Sequence, residues 1–555
     1  MRIEAIGLTK EFGGRRAVDG LSFCVEPGKV TGFLGPNGAG KSTTLQLMLG
    51  LAGGGGRTLF DGRPYRELPC PVREVGAALD AKAFHPRRSA RDHLWMLAAA
   101  GQLPGDARGQ IPGRRVDQVL GQVGLDAVAH KPAGGFSLGM AQRLGLAAAL
   151  LAGPRALLLD EPANGLDPHG VAWLRELLRA FAAGGGAVLV SSHLLAEMQL
   201  LADHVVVIGR GRLLADEPLD RLIGRTARER VLVRSPDAGR LAELLGAGGG
   251  RAGTHRERRA DHLRGRRPGR RRPGPSAPAA APRAGHPGPI PGGGLRRADR
   301  RRGQVRNRGR PMTGLSRYEW RCLRSLPGNR ALLAAVVGFA LLADLTAAGK
   351  PLDAEGVVFH VVQRDLAVRW LAATAVGAQA FGHEFRYGTI RPTLLGFPRR
   401  HRLLAGKAAA AALAGTAGAL LASAASLALL LVATRWDRSL FADPRLWRSL
   451  AFGAVTVGLV SAMAAGLGAL TRGTGLPVVL LALWAGIVEP LVAAVLGGGA
   501  GLLPFLSMLQ LAAYSGEAVD LGAASPRSPL VFPSCLAAVL VAAGVVVARR
   551  DAATP

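Results

Sequence analysis

The sequence predicts an α/β region followed by an all-α membrane region of six helices. Three observations carry this. A short apolar strand, Val30-Thr31-Gly32-Phe33-Leu34, runs into a glycine loop and then a helical stretch from Thr43. A second apolar strand, Ala156-Leu157-Leu158-Leu159, ends in the paired carboxylates Asp160 and Glu161. Beyond about residue 312 the chain changes to recurring runs of about twenty apolar residues, the length that spans a bilayer. A chain of 555 residues has room for several domains of roughly 100–200 residues each.

The glycine loop is Gly35-Pro36-Asn37-Gly38-Ala39-Gly40-Lys41-Ser42-Thr43. It fits the spacing G-x-x-x-x-G-K-[ST], whose backbone N–H groups cradle nucleotide phosphates. Strand, glycine turn and helix N-terminus together make an anion site, because free N–H groups and the helix dipole face the same point. Lys41 is placed to reach the β- and γ-phosphates, and the Ser42 hydroxyl to ligate Mg²⁺. This part of the chain is expected to bind a nucleoside triphosphate.

Residues downstream decide what kind of NTPase this is. Asp160, at its strand end, suits a Mg²⁺ ligand acting through water, and Glu161 is placed to polarise the attacking water. Upstream, Phe136-Ser137-Leu138-Gly139-Met140-Ala141-Gln142-Arg143 is a polar glycine turn that opens another helix. Asn164-Gly165-Leu166-Asp167-Pro168 comes next, and Val188-Leu189-Val190-Ser191-Ser192-His193 is a strand that ends in histidine. A generic GTPase or kinase has no reason to carry all of these in this order.

With these motifs in place, residues 1–225 resemble an ATP-binding cassette (ABC) ATPase of the drug- and bacitracin-resistance exporter branch. The resemblance implies a P-loop fold with an antiparallel β subdomain, and ATP and Mg²⁺ as cofactors. It implies that Phe12 stacks on adenine and that Ser137 and Gly139 contact the γ-phosphate of ATP on an opposite cassette. It implies further that Asp167 lies in the loop crossing that dimer interface, and that His193 senses the γ-phosphate beside the catalytic Glu161. Two departures stand out. Phe136-Ser137-Leu138-Gly139-Met140 replaces the usual Leu-Ser-Gly-Gly-Gln, keeping the serine and second glycine. Asp80, closing Val75-Gly76-Ala77-Ala78-Leu79-Asp80, stands where the family places a glutamine that reaches Mg²⁺ and touches the membrane domain. A carboxylate can still ligate Mg²⁺ through water, since that ion prefers hard oxygens and keeps several waters.

Charge narrows the partners. The chain holds 70 Lys and Arg against 39 Asp and Glu, a net +31. Such an excess suits nucleic acid or anionic lipid, so its location matters. Nineteen arginines against three acidic residues fall within 248–311, about half of the net charge. That segment is Arg, Pro, Gly and Ala, a like-charge block without the aliphatic periodicity needed to offset the entropy of ordering. Read functionally it is a nucleic-acid or lipid tether, but no aromatics are interleaved for base stacking, which disfavours nucleic acid. The four cysteines, Cys24, Cys70, Cys322 and Cys535, show no metal or disulfide spacing. Met1-Arg2-Ile3-Glu4-Ala5 leads into a strand rather than a signal peptide.

Apolar runs recur near 331–348, 366–382, 408–433, 449–470, 476–498 and 530–548. Basic residues set their orientation. Arg317, Arg321, Arg324 and Arg330 precede the first run, Arg386, Arg391, Arg399, Arg400, Arg402 and Lys407 crowd the second connection, and Arg549 and Arg550 follow the last. Six spans would put all of these inside, with both termini. The loop near 434–448, with Arg435, Arg438, Arg445 and Arg448 against Asp437 and Asp443, opposes that count. His383-Glu384-Phe385-Arg386-Tyr387-Gly388 and the residues to Leu394 resemble the cytoplasmic segment by which ABC-2 type permeases meet their ATPase, implying coupling roles for Glu384, Arg386 and Tyr387. Residues Leu315 to Leu326 fit an interfacial helix. Glu489, followed by Pro490, is an intramembrane carboxylate and hence a functional candidate, or a residue at a helix break.

The expected domains are an ABC ATPase at 1–225, the truncated start of an accessory domain at 226–247, the basic linker at 248–311 and an ABC-2 type permease at 312–555. The expected activity is an ATP-driven exporter half-unit in the bacterial cytoplasmic membrane. It would pair as a homodimer, or with separate ABC subunits, to move a small-molecule, lipid or peptide cargo. A soluble ABC ATPase acting on ribosomes or nucleic acid and a membrane signalling sensor are rival readings. A further alternative is that ATPase and permease were joined by a frameshift, because Arg/Pro/Gly-rich text is what a GC-rich gene yields in a shifted frame. Resequencing the locus tests this: a stop codon before Met312 in another frame supports it, and its absence sinks it.

Overall fold

The computed structural model describes residues 1–100, 113–226, 318–323, 325–347, 351–352, 354–433, 435–436, 441–496, 503–512 and 528–549. The expected accessory segment beyond residue 226, the basic linker at 248–311 and part of the 434–448 loop lie outside the described residues. The described residues of Met1–Asp220 and those of the C-terminal part belong to one compact unit.

The N-terminal part is built on two sheets. Strands β1 (Ile3–Phe12), β2 (Arg15–Val25) and β4 (Gly55–Phe60) form an antiparallel sheet in the order β2-β1-β4. The larger sheet has the order β5-β6-β7-β3-β8-β9, from β3 (Val30–Leu34), β5 (Val75–Ala78), β6 (Ala156–Leu159), β7 (Ala187–Ser192), β8 (His204–Gly209) and β9 (Arg212–Pro218). All its neighbours are parallel except β8 and β9. Strands β3, β6 and β7 are buried at every residue, as expected of parallel strands covered on both faces, whose sequences read as continuous apolar runs. Their C-terminal ends lie side by side, Leu34 pairing with Ser192 and Leu159 with Val190. This brings three separate motifs to one sheet edge.

The helices of this part include α1 (Lys41–Met48), α2 (Pro71–Glu74), α3 (Ala90–Ala100), α4 (Gly113–Gln122), α5 (Leu138–Leu150) and α6 (Pro168–Ala183). Helix α5 packs on β5 and α6 on β7, while α3 and α4 pack on each other and on α5. Helix starts follow local chemistry. Ser137 caps α5 by accepting from the Met140 N–H, and Asp167 caps α6 by accepting from the Gly170 N–H, with Pro168 at the first turn.

The C-terminal part is helical. It contains α7 (Pro327–Asp344), α8 (Leu366–Arg386), α9 (Ile390–Gly396), α10 (Arg400–Ala433), α11 (Pro444–Thr471), α12 (Gly475–Leu483), α13 (Glu489–Leu496), α14 (Pro504–Ala512) and α15 (Ser528–Arg549). A π-helical turn, Trp484–Val488, joins α12 to α13. Among the described residues, four helices are long and apolar enough to cross a membrane: Arg400–Ala433, Pro444–Thr471, Gly475–Val495 and Leu530–Ala548. The first two expected runs are helical as well, in α7 and α8, but α7 carries Arg330 and Asp344, and α8 carries Arg369, Glu384 and Arg386.

Helix α11 is the hub, packing against α8, α10, α12, α14 and α15. Its small residues make this possible: a methyl at Gly377 of α8 would collide with the Ser461 carbonyl, and one at Gly458 with the Thr416 hydroxyl. Small residues of this kind let the helix backbones approach closely. Gly377→Val should therefore lower stability by roughly 1–3 kcal/mol, the usual range for overpacking a filled core. A drop in the thermal midpoint of the purified chain checks this, and an unchanged midpoint contradicts it.

Candidate nucleotide site and its contact with the helical region

Gly40 precedes α1 at φ +104°, a left-handed conformation natural to glycine, and a side chain there would collide with the Ala17 carbonyl. The next residue, Lys41, is buried, and its Nζ donates to the Gly35 carbonyl at 2.7 Å and the Pro36 carbonyl at 3.3 Å. The loop thus curls around its own ammonium group. Asn37 and Gly38 at its crest, like Ser42, are exposed, while Ala39 is buried and Thr43 half-buried.

At the adjoining strand end Glu161 holds φ +49°, a left-handed conformation rare for residues with side chains. Two side chains pin it. The Glu161 N–H donates to Ser191 Oγ at 2.9 Å, and Gln142 Nε2 donates to the Glu161 carbonyl at 2.9 Å. Its carboxylate then lies between two partners, 3.3 Å from Lys41 Nζ and 2.7 Å from His193 Nδ1. Ser191 Oγ also donates to Asp160 Oδ1 at 2.5 Å. Burial raises the Asp160 carboxyl above its ordinary value, even though Ser191 and Ser42 hydrogen-bond to it and Lys41 is near. A cation beside Asp160 would relieve that cost, so the hard oxygens of Asp160 and Ser42 fit Mg²⁺.

Lys41, Ser42, Asp160, Glu161 and His193 therefore form one cluster. The other candidates lie elsewhere. Ser137 and Asp167 are exposed at the starts of α5 and α6, and Gly139 packs where a methyl would sit 2.9 Å from the Gly165 carbonyl. Phe12 is partly exposed at the end of β1, with Lys10 Nζ 4.9 Å above its ring. Ser191 and Gln142 carry structural work that the motif reading gave to neither. Ser191 had one visible signal, its place two residues before His193 on the same strand.

Asp80 turns toward the helical region. Its Oδ1 accepts from the Lys82 N–H, and its Oδ2 lies 3.4 Å from Arg391 Nη1 at the start of α9. Helix α9 packs against α2 and α3, and Tyr65 Oη donates to the Leu395 carbonyl at 3.0 Å. The Tyr387 ring stands 4.5 Å from His85, and Arg386 lies over Tyr387. The helical segment 318–323, expected on a membrane surface, also meets the α/β part: Arg321 stacks 3.7 Å above the Trp95 ring. Nearby, Arg88 Nε donates to Ser325 Oγ at 3.0 Å. Arg400 donates to the Gly50 and Leu51 carbonyls just past α1.

Glu384 lies behind this contact rather than on it. It is buried, accepting through Oε1 from Tyr318 Oη at 2.6 Å and from Lys407 Nζ at 2.8 Å. Lys407 also donates to Glu319 at 2.6 Å and the Ala380 carbonyl at 3.0 Å, and Tyr318 Oη lies 2.7 Å from Thr393 Oγ1 on α9. Glu489 has a structural partner too: its carboxylate accepts from the Phe505 and Leu506 N–H groups at the start of α14 and from Trp484 Nε1. That is a helix N-cap built from a distant residue.

Comparison with known proteins bears on this arrangement. Residues 18–164 match the family model described as ABC transporter. The chain is 39% identical over 223 residues to the bacitracin transport ATP-binding protein BcrA of Bacillus licheniformis, covering 40% of this chain and 71% of that protein. The chain belongs to the ABC transporter ATP-binding family. Its cassette is also 34% identical to the lantibiotic transport ATP-binding protein SrtF of Streptococcus pyogenes, covering 38% of this chain and 89% of that one. It is 35% identical to the daunorubicin resistance ATP-binding protein DrrA2 of Streptomyces coeruleorubidus, covering 42% and 71%. The cassette is accordingly an ATPase that binds ATP.

One consequence of the interface is testable by pH. His93, in α3, is buried, and its Nδ1 has no hydrogen-bond partner among the described residues. Burial, helped by the charge of Arg88, lowers it from 6.5 to about 3. Below its unfolded value the unfolded chain holds the extra proton and the folded one does not. Stability is therefore full above about pH 6.5 and falls toward about pH 3, by up to roughly 1.4 kcal/mol per pH unit. Hydrogen exchange of the α3 amides should lose protection over that window, and His93→Phe should flatten the loss. An equal pH slope in both proteins would contradict this.

Proposed function

We propose that the chain is a half-unit of an ATP-driven exporter, with a cassette and an ABC-2 type permease on one polypeptide in the bacterial cytoplasmic membrane. The observation that carries this is the seating of α9 against α2 and α3, with Arg391 beside Asp80. A cassette that only bound nucleotide would have no use for that contact. Six spans, four of them strongly apolar, make up the permease on this reading.

The chemistry follows from the clustered groups. Lys41 and the loop N–H groups hold the phosphates, and Mg²⁺ on Ser42 and Asp160 would supply positive charge beside them. Glu161 acts as general base toward the attacking water, and His193, hydrogen-bonded to it, orients that carboxylate and reports the γ-phosphate. Phe12 offers a face to adenine. Ser137 and Asp167 are exposed and Gly139 is half-buried beside them on the same chain, which suits completion of the ATP site of a second copy in a homodimer, or of a separate ABC subunit. Closure of two cassettes on ATP would move α9, and Tyr387, Arg391 and the buried Glu384–Lys407 pair would pass that motion to the spans. Bacitracin, lantibiotic and daunorubicin relatives point to an amphipathic antibiotic-like cargo, within the class of small molecules, lipids and peptides. Nucleic acid has no part in this mechanism.

The test is ATP turnover of the purified chain in vesicles beside Glu161→Gln. Turnover should fall by roughly 10²–10⁴, the worth of a general base, and ATP-dependent uptake of bacitracin or daunorubicin by inverted vesicles should fall with it. Turnover only from separately expressed 1–247 and 312–555 would show instead two proteins joined by accident. Uptake independent of ATP would reject the exporter reading.

A further inference from the structure

A cavity of about 460 Å³ opens among α7, α8 and α10, within the range of small-molecule sites. It exists because one wall of α10 is small: Ala414, Gly415, Ala417 and Gly418 leave the space that larger side chains would fill. Leu333, Val336 and Val376 line the facing walls. An apolar space of this size does not hold water well, and close packing of the surrounding helices has not closed it.

Its ends are different. Trp320 and Arg330, both exposed, stand at one rim beside Asn329, whose Oδ1 is buried with no hydrogen-bond partner among the described residues. At the other end Arg369 is buried and fully engaged, donating to Asp365, Ser423 and the Val361 carbonyl. Among the described residues, the lining contains no carboxylate. A second copy of this chain docking by the same face would bring only its own arginines to Arg330, because an isologous contact pairs a patch with itself. The occupant that fits must carry its own negative charge and an apolar tail.

We infer that this cavity binds a membrane amphiphile with an anionic headgroup, its acyl tail between α7, α8 and α10 and its headgroup at Arg330. The inference rests on the reading of these helices as membrane spans. A lipid held there touches α8, whose C-terminal end leads directly to Tyr387 and α9, so occupancy is placed to influence the cassette contact.

The experiment uses the full chain in phosphatidylcholine vesicles containing traces of phosphatidylglycerol or phosphatidylcholine with a photoactivatable diazirine tail. Flotation with the vesicles is scored first, since failure to float would reject the membrane reading itself. After irradiation, peptides carrying Leu333, Val336 and Val376 should be labelled about fivefold more by the phosphatidylglycerol probe, the worth of one basic residue near an anionic group. Gly418→Phe should abolish labelling by filling the cavity, with Ala417→Leu as the milder variant if the first does not fold. Arg330→Glu should remove the headgroup preference and leave tail labelling in place. Equal labelling by both probes in the wild-type chain, or labelling unchanged by filling, would overturn the proposal. So would efficient disulfide cross-linking of Leu333→Cys between two copies, which would make this face a contact between chains.

Discussion

A lysine without exposure to water must have its charge met on the spot, and Lys407 is such a residue. Glu319 and Glu384 meet it at 2.6 and 2.8 Å. Removing one partner of a buried pair costs roughly 3–5 kcal/mol, because the other charge is then left uncompensated. This fixes more than one helix. Glu319 belongs to segment 318–323, Glu384 to α8 and Lys407 to α10, while Tyr318 extends the network to Thr393 on α9. The helix that touches the cassette is thereby tied to three others, and cannot shift without disturbing a buried charge.

The nucleotide site is organised by the same logic at smaller scale. Glu161 adopts a backbone conformation that costs of order 1–3 kcal/mol for such residues, and it persists because Ser191 and Gln142 hold the peptide from two sides. In return its carboxylate is aimed between Lys41 and His193. Ser191 serves two neighbours at once, which aligns Asp160 with Glu161 and makes the pair a unit rather than two adjacent acids.

Much of this was legible in the chain. Continuous apolar strands ending in special residues announced a parallel sheet, and the order of the glycine loop, the Ser137 turn, Asp160-Glu161 and His193 announced its chemistry. The apolar runs of the second half announced helices. Less could be read where function depends on what lies opposite. Asp80 stands where the motif puts a residue that reaches Mg²⁺ and touches the membrane domain, but that its partner there is Arg391 was not legible. Glu384 read as part of a docking surface because it lies in a charged connection, whereas it is buried against Lys407. Glu489 read as a functional intramembrane carboxylate or a residue at a helix break, and it caps a helix that starts fifteen residues further along.

Local sequence therefore determined the loop, the strands and the helix caps, since each depends on backbone conformation and on neighbours a few residues away. The tertiary structure decided the partners of the charged residues. A carboxylate binds whichever donor the fold carries to it, and Lys407, Arg391 and the Phe505 amide are each distant in sequence from the carboxylates they meet. Only packing, which sets the distance and removes the water between them, could make those choices.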